Sequence, residues 1–137
     1  MPGPFFILSS VPITREELSA FTLKHKGKTT SDVTLNNVLS DSHRHVWFGL
    51  SSTTELESER DEFSNSALTK LGKMPEACIT VEVSDQEGSS DWALEIAILI
   101  LRQWNSVVDD FHGPMLELSD LYDIKTSGKS FLSRRSA

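Results

Sequence analysis

The chain has 137 residues, 38% of them hydrophobic and 24% charged, a balance that supports one folded core and argues against wholesale disorder. Thirteen basic residues against twenty acidic ones give a formal charge of −7. Such a charge repels phosphate backbones and anionic lipid surfaces, so neither nucleic acid nor membrane is expected as a partner, whereas a basic protein surface is attracted by the same field.

Taken in chain order, Phe5 to Ser9 reads as a short buried strand, broken by Ser10-Val11-Pro12. Thr14-Arg15-Glu16-Glu17 has the form of a capping box, with Ile13 and Leu18 placed as a hydrophobic staple, so a helix is expected to start at Thr14. Leu18, Phe21 and His25 are placed to share one face. Lys24, Lys26 and Lys28 gather near its end, where cations suit the helix dipole, and Gly27 is the expected stop. Residues 29–44 are polar and admit either a long loop or a weak strand pair turning at Asn36-Asn37. His45 to Ser51, with Trp47 and Phe48, reads as a strand. Glu55 to Leu71 carries Leu56, Phe63, Ala67, Leu68 and Leu71 at near-helical intervals and ends at Gly72. Ala77 to Ser84 alternates apolar and polar residues, which predicts an edge strand or one in an open-faced sheet. Ser89 or Ser90 is expected to cap a helix from Asp91 to about Trp104, apolar on nearly every side through Leu101 apart from Glu95. Ser106 to Asp110 and Met115 to Leu118 suggest a hairpin, and Ser119-Asp120-Leu121 a final short turn. From Lys125 onward the composition is polar and basic, with Phe131 and Leu132 alone, the pattern of a flexible tail.

These elements predict an α+β fold: a mixed or mainly antiparallel sheet of about five strands with three helices packed on it, in the order β-α-β-α-β-α-β-β. Residues 1–124 form the single expected domain and 125–137 the tail. Cys78, the single cysteine, excludes an internal disulfide and reads as a buried thiol, which fits a reducing compartment. The apolar run Phe5 to Leu8 is too short for a signal peptide, and Ile96 to Leu101 is far below the ~20 residues of a membrane span. A cytoplasmic protein is expected.

Few residue patterns in the chain point to chemistry. Gly128-Lys129-Ser130 lacks the earlier glycine of a phosphate loop, since position 123 is Asp123. His43 and His45 would share one side of a strand, but no further ligand pattern accompanies them, and neither metal nor cofactor is expected. Asp109, Asp110 and His112 form the most enzyme-like trio, although Asp and Gly belong in turns for backbone reasons alone.

The segments Trp92-Ala93-Leu94-Glu95-Ile96-Ala97, Trp104, Val107-Val108-Asp109-Asp110 and Leu116-Glu117-Leu118-Ser119-Asp120-Leu121 resemble small bacterial immunity proteins paired with polymorphic toxins. The strands Val46-Trp47-Phe48 and Val81-Glu82-Val83-Ser84 extend the resemblance over roughly residues 45–124. It implies a non-enzymatic cytosolic protein that occludes a cognate toxin delivered by a type VI or contact-dependent system. An adaptor or chaperone for a secreted effector would share this size and acidity, and a small hydrolase built on Asp109, Asp110 and His112 is the third reading. Charge complementarity nominates Glu55, Glu57, Glu59, Asp61 and Glu62 as partner-binding residues, with Asp109, Asp110 and Glu117 as a second acidic set.

Overall fold

A computed structural model describes residues 4–31, 35–41, 43–51, 69–73, 75–86, 88–110, 115–128 and 131. Its strands are β1 (Phe5–Ser9), β2 (Lys28–Thr29), β3 (Asn37–Asp41), β4 (Arg44–Leu50), β5 (Ala77–Val83) and β6 (Ser106–Asp109). They form one antiparallel sheet in the order β2-β3-β4-β5-β1-β6. The helices are α1 (Arg15–Lys24), α2 (Ser89–Gln103) and α3 (Leu118–Ser127), and residues 69–71 are helical as well. The α+β class and antiparallel pairing agree with expectation. The sheet has six strands rather than about five: residues 28–41 supply the pair β2 and β3, with Asn37 opening β3 opposite Thr29 instead of forming the turn, while the expected strand at 115–118 contributes only an isolated bridge.

The apolar run Phe5-Phe6-Ile7-Leu8 of β1 explains its inner position between β5 and β6: a strand buried on both faces needs no polar alternation. Phe5, Ile7 and Leu8 are all at most 1% exposed. The alternating β5 is not an edge strand, as it lies between β4 and β1. Its polar side is open only toward one end, where Glu82 is exposed and Thr80 half-buried. At the other end Cys78 packs with Leu8, Val107 and Met115, flanked by Phe6 and Leu71.

The opposite face of the sheet carries the main core. Ile7, Val46, Phe48, Ile79, Val81 and Val108 meet Leu18 and Phe21 of α1, Ile96 and Ile100 of α2, and Leu121 and Ile124 of α3. Fully burying a side chain of this size contributes about 1.5–3 kcal/mol, so these strand residues select the face on which every described complete helix packs. Helix α2 lies against the sheet and α3 alongside α2, with Lys125 Nζ 2.9 Å from Glu95 Oε1 across the helix pair.

The ends of the elements show how local sequence works. Thr14 caps α1 with the full capping box: its hydroxyl accepts from the Glu17 amide at 3.1 Å, and Glu17 Oε1 accepts from the Thr14 amide at 2.9 Å. Ile13 and Leu18 are both buried, as a staple requires. The helix stop differs from expectation. Lys26, not Gly27, takes the left-handed conformation at φ 65°. The Lys26 amide donates to Leu23 O at 3.1 Å and the Gly27 amide to Thr22 O at 2.8 Å, the paired bonds of a Schellman motif. Gly27 is required for a different reason: a Cβ there would lie 2.5 Å from Val38 O and 2.6 Å from Leu39 Cδ2.

At α2 neither Ser89 nor Ser90 is the cap. Gly88 holds that position at φ 82°, while the buried Ser89 is in the first turn with its hydroxyl 2.6 Å from Ser84 Oγ. The hairpin after β6 reduces to one bridge, in which Val108 and Leu116 exchange two backbone bonds of 2.8 Å. Instead of a short turn, the chain then forms the ten-residue α3, whose span crosses the domain boundary expected at residue 124. Phe131 is 0% exposed and meets Phe5 edge to face, with ring centroids 5.3 Å apart. The tail segment therefore supplies core.

Candidate functional site

Glu55, Glu57, Glu59, Asp61 and Glu62 lie outside the described residues, as does His112. The second acidic set is described, and the fold does not display it as one surface. Asp109 ends β6 opposite Phe6 and is half-buried. Asp110, the next residue, is 2% exposed, so its carboxyl is withdrawn from any partner that docks on this fold. The backbone reverses side from one strand residue to the next, which is why two adjacent aspartates cannot both face a partner from an extended segment. Glu117 is half-exposed and structurally engaged: its amide donates to Asp120 Oδ2 at 2.8 Å, and its carboxylate lies 3.6 Å from Lys70 Nζ. That contact ties the start of α3 to the helical residues 69–71.

The histidines are also used locally. His45 Nδ1 is 2.7 Å from Ser40 Oγ, directly across the β3–β4 ladder, and its ring stacks on Trp47 at 5.7 Å. Exposed His43 sits in the turn between these strands. Among the described residues no three His, Cys, Asp or Glu side chains are grouped so as to hold a metal ion.

Two polar constructions escaped the sequence reading. In the first, Thr22 Oγ1 is 2.9 Å from Leu18 O and 2.7 Å from the Asn37 amide, whose other atom adjoins Asn36 at 2.7 Å. A hydroxyl has one proton, so both Thr22 contacts are satisfied only if it donates to Leu18 O and accepts from Asn37. The orientation that fits has Asn36 Oδ1 accepting from Arg15 Nη2 and Nε at 2.7 and 2.9 Å, which carries the chain of bonds from solvent into the core. In the second, Arg44 pairs with Asp41, donates to Gly88 O at 3.3 Å and stands 5.4 Å from the centre of the Trp92 ring. Trp92 Nε1 donates in turn to Leu39 O at 3.1 Å, clamping the start of α2 to the β3–β4 turn. Sequence periodicity cannot reveal either one, since the bonds that close each network join distant positions: Thr22 to Asn37, Arg15 to Asn36, Arg44 to Gly88 and Trp92 to Leu39.

The described surface also carries a concavity of ligand size. An open groove of about 580 Å³ runs between the C-terminal ends of α1 and α2, lined by Phe21, Lys24, His25, Leu99, Arg102 and Gln103 among others. Phe21 forms a fixed floor, only 2% exposed and held by ring contacts to Phe48 at 6.2 Å and Trp104 at 5.6 Å. Lys24, Arg102 and Gln103 are exposed around it.

No family model, curated protein or solved structure matches the chain. Among the described residues no helix is long and apolar enough to cross a membrane.

Proposed function

We propose that this chain is a cytosolic protein-binding domain that neutralises a cognate bacterial toxin by covering its active site or substrate surface. The observation that supports the reading is the charge: twenty acidic against thirteen basic residues on one compact α+β domain. Described carboxylates such as Glu16, Glu82, Asp85, Asp91 and Asp123 are exposed, so the acidity is turned outward. A basic toxin face meets that field favourably, which raises the encounter rate and disfavours acidic competitors. Occlusion requires a rigid complementary surface and no bond-making chemistry.

Within this reading Glu55, Glu57, Glu59, Asp61 and Glu62 are the leading contacts, with Asp109 and Glu117 secondary and Asp110 assigned to the protein interior. The test is co-purification with the product of the adjacent gene, together with growth of cells producing that product with and without this chain. Glu59→Lys combined with Asp61→Lys is expected to weaken the complex by at least about tenfold and to abolish protection. A complex unaffected by that double reversal, or a neighbour that is harmless alone, would refute the proposal.

A further inference from the structure

We draw no further inference here: the strongest candidate, the side of the sheet opposite the main core where half-buried Trp47 stacks on His45 beside exposed Ser40 and Glu82, carries no proposal because nothing in the structure shows what covers it.

Discussion

Replacing Gly27 by alanine tests how tightly α1 is bound to the sheet. The added methyl would stand 2.5 Å from Val38 O, 2.6 Å from Leu39 Cδ2 and 2.8 Å from Thr22 Cγ2. None of the three can step aside freely. Val38 is held in register between Lys28 and Trp47, Leu39 is 2% exposed, and Thr22 is buried within the bond chain to Asn37. Overpacking a well-filled site costs about 1–3 kcal/mol, and a backbone oxygen as the nearest obstacle places this case near 3. For a domain of this size that lowers Tm by roughly 10 °C. The neighbouring position predicts the opposite sign. Lys26 adopts φ 65°, where a side chain costs about 1–2 kcal/mol relative to glycine. Lys26→Gly recovers that strain less the entropy of the freer unfolded chain, for a net gain of roughly 0.5 kcal/mol. Urea unfolding followed by tryptophan fluorescence and circular dichroism measures both variants. A Gly27→Ala protein within about 0.5 kcal/mol of the parent, or a Lys26→Gly variant that is the more damaged of the two, would refute the close-approach argument.

Two further stability predictions address the ends of elements. Phe131→Ala is expected to cost about 3–5 kcal/mol, because the ring is wholly buried against Phe5, whereas an unattached tail would leave thermal unfolding unchanged. Thr14→Ala removes the acceptor for the Glu17 amide and is expected to cost about 1 kcal/mol in chemical denaturation; an effect below a few tenths would show that the capping box contributes nothing to α1.

The candidate surfaces were legible to different degrees. The acidic excess is a count and needs no fold, but which carboxylates face outward depends on strand parity and tertiary cover: Asp109 and Asp110 are chain neighbours with different exposures. The groove was not legible. Lys24 and Arg102 are 78 positions apart, each explained locally by the end of its own helix, and only the packing of α1 beside α2 brings them to one rim around Phe21 and Leu99.

Sequence by itself determined what depends on near neighbours along the chain: the capped start of α1, the buried strand β1, the existence of strands β4 and β5, the largely apolar α2 and the α+β class. These follow from periodicity and capping, whose physical range is about one helical turn or two strand residues. Tertiary structure decided the rest. It placed β5 inside the sheet, brought β3 so close to Gly27 that no side chain fits there, and drew Phe131 into the core although its polar neighbours read as tail. In each case the deciding contact joins residues far apart in the chain, and local preferences of about 1 kcal/mol yield to burial and steric terms two or three times larger.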